Sequence, residues 1–328
     1  MKIPTLLVKQ KNKIIKFIHI QLFITLISIP ILLCWGIPVS LLTFAGNFFF
    51  TPILTAFLLF SSLIFFCQIL HIPNGIFIYC LEQITHWWLW IMQWGTKQCL
   101  IALPLPTLAI IIAIPLLALG ILHHKKINTP LKSSISYGVL LAIIYGYLKL
   151  MAPTATAIDT LECNKGVVTS IVHKKQLVLI DPGVIGRRLS APSWCEYTLM
   201  PYLVKKYGTT TIDHLIILQP NKIIFDALIS LLQKITIKNI YLPLWDGKLP
   251  LYWWRSYAHL RDVCKHTNCK LIRLAKKPLS ITVDDSKICI TPLEKQIVMD
   301  EFSYPVFQAQ TIIDNYELTI YSAKHKVG

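Results

Sequence analysis

The feature that most constrains this chain is the uneven way charge and apolar residues are distributed along it. Up to residue 152 there are ten Lys or Arg and a single acid, Glu82, whereas the remaining 176 residues hold 22 Lys or Arg and 15 Asp or Glu. A stretch of that length, with long apolar runs and almost no carboxylates, reads as bilayer-embedded, and the more highly charged remainder reads as folded in water. The whole composition agrees: 54% of residues are hydrophobic, 15% are charged and the mean hydropathy is +0.57. High apolar content excludes disorder, no Gly repeat suggests collagen, and nine Cys spread over the whole length do not make a disulfide-dense secreted scaffold. Nine is odd, so at least one thiol has no partner within the chain. The net charge of +16 points to anionic partners, either lipid headgroups or nucleic acid.

A spanning helix needs about 20 mainly apolar residues. Residues 17–35 supply one, with His19, Gln21 and Pro30 as its unusual members. Residues 41–70 are too long for one straight crossing, and Asn47 with Pro52 predicts a break before a span over 53–70. Residues 76–100 mix Glu82, Gln83 and His86 with Trp87, Trp88, Trp90 and Trp94, which suits either an interfacial helix or a crossing that lines a polar cavity. Residues 105–122 form a clean span, and 135–150 a shorter one with Lys149 able to snorkel. A signal peptide is the alternative for the first segment, but its apolar run is too long and no small-x-small cleavage site follows. Lys clusters at 1–16 and 123–134 place both stretches in the cytoplasm by the positive-inside rule, and parity then favours five crossings and an extracytoplasmic C-terminal half. The expected domains are therefore a transmembrane domain, 1–152, of about five segments and a soluble domain, 153–328. Asn47, Glu82 and His86 are the candidates for a polar path through the membrane part, since such groups face a bundle interior or a watery route.

The second half alternates patterns. Residues 167–172 and 176–180 are β-branched runs around a hairpin turn, 214–218, 237–242, 270–274, 279–283, 288–291 and 317–321 read as strands, and 196–207, 225–234 and 250–265 have helical spacing. The result is an α/β domain, long enough to bury its own core.

These residues resemble a family. The segment Leu161-Glu162-Cys163-Asn164-Lys165-Gly166, then Leu179-Ile180-Asp181-Pro182-Gly183, then Leu199-Met200-Pro201-Tyr202-Leu203 and Ile212-Asp213-His214-Leu215-Ile216-Ile217-Leu218 is similar to the opening of the metallo-β-lactamase-like domain of ComEC, the inner-membrane DNA-uptake channel of natural competence. The membrane half resembles the end of the competence domain, through Trp35-Gly36-Ile37-Pro38, Ala45-Gly46-Asn47 and Leu103-Pro104-Leu105-Pro106. The resemblance implies a polytopic α-helical membrane domain followed by an αββα soluble domain, a place in the cytoplasmic (inner) membrane, and single-stranded DNA as partner beside the lipid bilayer. It also implies that a second polypeptide supplies the remaining channel helices.

Departures from the family bear on catalysis. Where the family has a His-x-Asp-x-Asp-His loop for divalent metals, this chain has Gln219-Pro220-Asn221-Lys222-Ile223-Ile224, which offers no imidazole or carboxylate and adds a cation. The Asp-x-Gly-Gln-Gly-Asp signature has become Glu162-Cys163-Asn164-Lys165-Gly166-Val167, and the family's later His-His-Gly-Ser motif has no counterpart. The expectation is a domain that is not an enzyme and binds no cofactor. Asp181 is the one retained position with metal-like chemistry, although Asp before Pro-Gly is an ordinary turn former. The alternatives are a phosphodiesterase with relocated ligands, such as Asp181, His214, Asp226 and His259, and an envelope transporter unrelated to DNA.

Two further groups stand out. Cys264, His266 and Cys269 are soft ligands within six residues, with Cys195, Cys289 or His259 as possible fourth ligands, against a reading as buried thiols. Cations at Lys174, Lys175, Arg187, Arg188, Lys205, Lys206 and Arg255, and beyond them Arg261, Lys270 and Arg273, are interleaved with Trp245, Tyr252, Trp253, Trp254 and Tyr257. Cations that pair with phosphates beside rings that stack on bases are the chemistry of single-strand binding, and Lys174, Lys175, Arg187, Arg188, Lys205, Lys206, Trp253, Trp254 and Arg255 are its candidates. No P-loop or Rossmann Gly pattern suggests a nucleotide-driven step.

Overall fold

The structure is a computed structural model, and it describes residues 3–40, 42–92, 100–124, 129–152, 156–163, 166–173, 175–185, 190–248, 250–274, 278–283, 286–299, 302–313 and 316–321. The chain divides into two compact units, Met1–Leu150 and Met151–Gly328.

The first unit consists of α1 (Ile3–Trp35), α2 (Leu42–Ile69), α3 (Gly75–Met92), α4 (Leu108–His123) and α5 (Pro130–Met151), with a two-residue bridge between β1 (Val39–Ser40) and β2 (Leu100–Ile101). Among the described residues, three stretches are long and apolar enough to cross a membrane: Ile14–Trp35, Phe50–Ile69 and Pro130–Met151. The apolar α4 is shorter at 16 residues. Pro130 at the first position of α5 has a preset φ and no N–H to satisfy, which lets the helix begin five residues before the sequence-predicted segment. The expected break at Asn47 and Pro52 does not occur, since α2 runs through both. One hydrogen bond lost to Pro52 is a smaller penalty in lipid than unwinding a turn and exposing more backbone groups.

The helix α1 ends where Gly36, at φ 69°, donates to the Leu33 carbonyl while Ile37 donates to that of Leu32. Leu26, Ile29 and Leu33 of α1 pack with Ile114 and Ala118 of α4 and with Tyr137, Ile144 and Leu148 of α5. The Tyr137 hydroxyl donates to the Ala118 carbonyl at 3.4 Å. Phe50 against Trp88 (5.3 Å) and Phe60 against Phe77 (6.3 Å) join α2 to α3. Ser28, Thr55, Ser62 and Thr85 each donate to the carbonyl four residues back, so their hydroxyls need no water.

The second unit is a mixed α/β fold. Its six-stranded sheet has the order β3 (Ala157–Cys163), β4 (Gly166–His173), β5 (Gln176–Asp181), β6 (Thr211–Ile217), β7 (Thr236–Pro243) and β9 (Lys270–Leu274), antiparallel through β3–β4–β5 and parallel from β5 to β9. The connections carry α6 (Ala191–Trp194), a π-helical turn (Cys195–Leu199), α7 (Met200–Tyr207), α8 (Lys222–Lys234) and α9 (Leu251–His266). Parallel strands added in one direction by right-handed crossovers put these helices on one face. There Val168, Leu179, Leu215 and Ile240 meet Leu199, Leu203, Phe225, Leu228, Trp253 and Leu260. On the other face lies an antiparallel sheet of β10 (Leu279–Val283), β11 (Ser286–Met299), β12 (Phe302–Ile313) and β13 (Tyr316–Tyr321), with the short β8 (Asp246–Gly247) paired to β12. Ile281, Ile288, Ile290, Phe307 and Ala309 of that sheet close over Ile171, Val178, Ile180, Ile216 and Leu218.

The β12 strand was not among the sequence expectations. Its buried Phe307 and Ala309 alternate with half-buried Gln308 and Gln310, a period-2 signal that is short and follows Pro305 within the strand. The helix expected at 196–207 is real but opens with a π-helical turn, where Met200 donates to the Cys195 carbonyl ahead of Pro201.

Candidate functional site

In open α/β sheets, ligands bind at the carboxyl ends of the parallel strands, because loops and helix N-termini converge there. Four such ends meet here, those of β5, β6, β7 and β9. They divide into a filled half and an aromatic half.

The filled half is built by β5 and β6. Asp181 ends β5 and is fully buried, and its Oδ1 accepts the N–H groups of Gly183 (3.0 Å), Val184 (2.8 Å) and Ile185 (3.3 Å). One carboxylate oxygen thus closes the whole turn. Gly183 has φ 101° and lies so close to Gln219 that an added Cβ would be 2.5 Å from the Gln219 Cβ and Oε1. Gln219 is 3% exposed and occupies the space beside the turn. Asn221 caps α8 by accepting the Ile224 N–H at 2.8 Å, and Ile224 is in the core. The loop after β6 is therefore a buried amide followed by a helix cap.

Among the described residues, no group of three or more His, Cys, Asp or Glu could hold a metal ion. Asp181 and His214 stand on different strands, Asp226 is a half-buried residue of α8 and His259 an exposed one of α9. His214 Nδ1 is instead 3.0 Å from the Tyr241 hydroxyl. Its neighbour Asp213 accepts the Leu177 N–H at 2.8 Å and pairs with Lys238 at 2.7 Å, tying β5, β6 and β7 together. Burial pushes the His214 imidazole below its ordinary value, Asp213 opposes this, and Lys238 adds to it. The imidazole is thus neutral in the fold while the unfolded chain takes up a proton near pH 6.5. The sign follows: stability is complete above about pH 6.5 and falls as pH drops through it, because the unfolded state binds the proton first. Thermal midpoints of the full chain at neutral and mildly acid pH should fall less in His214→Gln than in the wild type. Equal falls in both would remove His214 from the acid response.

The aromatic half is built by β7, β9 and α9. The Arg273 guanidinium lies 5.1 Å from the Trp245 ring centroid and 5.4 Å from that of Tyr257. Its Nε and Nη2 donate to the Tyr257 hydroxyl at 3.2 and 2.9 Å. Trp245 meets Tyr257 edge to face at 4.9 Å, and Trp254 lies 5.8 Å from the same ring. Arg273 and Trp254 are exposed while Tyr257 is buried, so a cation and an indole are held at the surface by a ring in the core.

The sequence-derived basic candidates do not form one group. Lys174, Arg187 and Arg188 lie outside the described residues. Lys175 is exposed at the β4–β5 turn with φ 74°. Lys206 pairs with Asp159 at 2.6 Å, beside the Tyr207 hydroxyl that donates to the same carboxylate at 2.8 Å, and Lys205 is half-buried next to it. Burial first, and then Asp159 and Tyr202, keep the Tyr207 phenol protonated. Trp253 is 8% exposed and packs edge to face on Phe225 at 6.2 Å, so its ring belongs to the core, whereas Trp254 and Arg255 point outward. The sequence reading held Trp245, Tyr257 and Arg273 within one set of interleaved cations and rings but did not choose them as its binding candidates.

Cys264 and Cys269 are buried side by side, but His266 is exposed. Two residues along an α-helix are about 200° apart, which turns the imidazole away from the Cys264 thiol. In the first unit, Glu82 and His86 are exposed on α3, and His86 with Gln83, Trp87 and Trp90 lines a groove of about 550 Å³. Asn47 lies in α2, with its side chain outside the description.

No family model matches the chain, and no curated protein matches it.

Proposed function

We propose that this chain is a multi-pass membrane component of a DNA-uptake apparatus of the ComEC kind, which guides single-stranded DNA without cutting it. The second unit is read as a degenerate metallo-β-lactamase-like domain: a helix layer, a mixed sheet and a second sheet are three successive layers of an αββα arrangement. The observation that carries the reading is the division of the carboxyl-end crest. Where a hydrolase of that fold needs ligands stand a turn-capping Asp181, a buried Gln219 and a helix-capping Asn221, while the β7–β9 half presents Arg273 held against Trp245 and Tyr257 beside exposed Trp254. A guanidinium held beside aromatic rings meets phosphate, and an exposed indole stacks on a base. Asn47, Glu82 and His86 are proposed to line the membrane path, and a second polypeptide supplies further channel helices. The soluble unit is assigned to the extracytoplasmic side of the inner membrane.

The test uses the full chain in nanodiscs, titrated with labelled single-stranded DNA over a salt series with Mn or Zn present. Affinity should fall steeply with salt, by about 0.7 in log–log slope per phosphate contacted, with DNA length unchanged, and Arg273→Ala should reduce that slope by about one contact. Cleavage abolished by EDTA, or no binding at low salt, would overturn the proposal. For topology, single cysteines placed between residues 123 and 134 and at exposed Tyr197 should label from opposite sides of the membrane. Labelling of both from one side would reject the extracytoplasmic assignment.

A further inference from the structure

The end of α9 is closed by a pair of cysteines. Asn268 adopts φ 55°, and beyond it the Cys269 N–H donates to the Cys264 carbonyl at 2.9 Å while Asn268 N–H reaches the Lys265 carbonyl at 3.5 Å. This is the six-to-one and five-to-two hydrogen-bond pattern of a Schellman motif, with Thr267 as the C-cap. In that motif the third residue from the helix end meets the second residue beyond the cap, and the contact is ordinarily between two apolar side chains. Here both positions are cysteine. Cys264 is 2% exposed, Cys269 is 7% exposed, and both belong to the helix-face core. Both are thiols in the structure, and their interaction lowers the Cys264 thiol and raises that of Cys269. The backbone hydrogen bond between them keeps the two residues within the Cα separation that a disulfide spans, roughly 4.4–6.8 Å.

We propose that Cys264 and Cys269 form an intrachain disulfide that locks the end of α9 to the start of the edge strand β9. The reaction is exchange with an external disulfide of the small-molecule or dithiol-oxidant class. One cysteine thiolate attacks a sulfur of that disulfide and expels one thiolate, and the neighbouring cysteine then attacks the mixed disulfide and expels the other. The chain loses two protons and two electrons, and the external disulfide takes up both and leaves as two thiols. The bond holds Arg273, four residues further on, in register with the helix that carries Tyr257. The inference depends on the helix end alone and stands whether or not DNA is the ligand.

The full chain in nanodiscs is exposed to oxidised glutathione, quenched in acid, unfolded, alkylated without reduction and digested. The expected product is a peptide containing Cys264 and Cys269 that carries no alkyl group and is lighter by two hydrogen atoms. Prior reduction should restore two alkyl groups, and Cys264→Ser should leave Cys269 alkylated or as a glutathione adduct. Recovery of both residues as alkylated thiols from the oxidised wild type, or their pairing with other cysteines, would overturn the proposal. The decisive measurement is on the wild-type chain, so a variant that folds poorly does not affect it.

Discussion

Replacing Asp181 by Ala should lower the thermal midpoint of the second unit by about 10 °C, whereas Asp181→Asn should lower it by only a few degrees. The Ala variant leaves the N–H groups of Gly183, Val184 and Ile185 without the oxygen that accepts all three, in a place where Asp181 itself is fully buried. Stranding buried donors is a penalty of about 1–3 kcal/mol per group, so a net loss of about 3–4 kcal/mol is reasonable after relaxation. At about 2–4 °C per kcal/mol for a unit of this size, that is the stated shift. Asn keeps a carbonyl oxygen in the same place and loses only the charge assistance. Once the exposed thiols such as Cys34 are blocked, a thiol-reactive dye can follow melting of the full chain, because Cys163 and Cys195 are buried until the unit opens. If Asn proves as damaging as Ala, the carboxylate has a role other than closing the turn. A midpoint raised by Mn or Zn in the wild type and not in Asp181→Asn would make that role a metal site.

Adjacent tryptophans on α9 should behave in opposite ways. Trp253→Ala removes a ring that is 8% exposed and packed on Phe225, and large-to-small changes of this kind lose about 3–5 kcal/mol. Trp254→Ala removes a ring that is 45% exposed, and the expected stability change is within about 0.5 kcal/mol. The order reverses for DNA: losing the exposed indole should weaken single-strand binding about tenfold, the lower part of the range for one base stacked on one ring. The same dye melt and the same titration read both variants. Unchanged DNA affinity in Trp254→Ala would exclude that ring from the interface, and an unchanged melt in Trp253→Ala would contradict its place in the core.

Much of the second unit was legible because its signals are local. Trp253, Tyr257, Leu260 and Cys264 recur at helical spacing and face the core together. Lys270–Leu274 and Leu279–Val283 form strands over the residues read from the sequence. The Asp-Pro-Gly turn after β5 was also readable, down to Asp181 as its former. Pro52 was misleading because proline breaks helices in water by leaving a carbonyl to be solvated, and a lipid-facing segment has no such solvent.

By itself the sequence determined that the chain has membrane-length apolar helices and a more highly charged α/β remainder. Hydrophobic periodicity and charge density act over a turn or two, and no distant residue is needed to read them. The tertiary structure alone decided which side chains share a site. Arg273, Trp245 and Tyr257 come from a strand, a loop and a helix, and they meet because β7 and β9 are parallel neighbours with α9 crossing between them. Gln219 closes against Gly183 because β5 and β6 end side by side. Adjacency of this kind is set by strand order, and strand order is chosen by how the two faces of the sheet are covered, which no single segment of the sequence records.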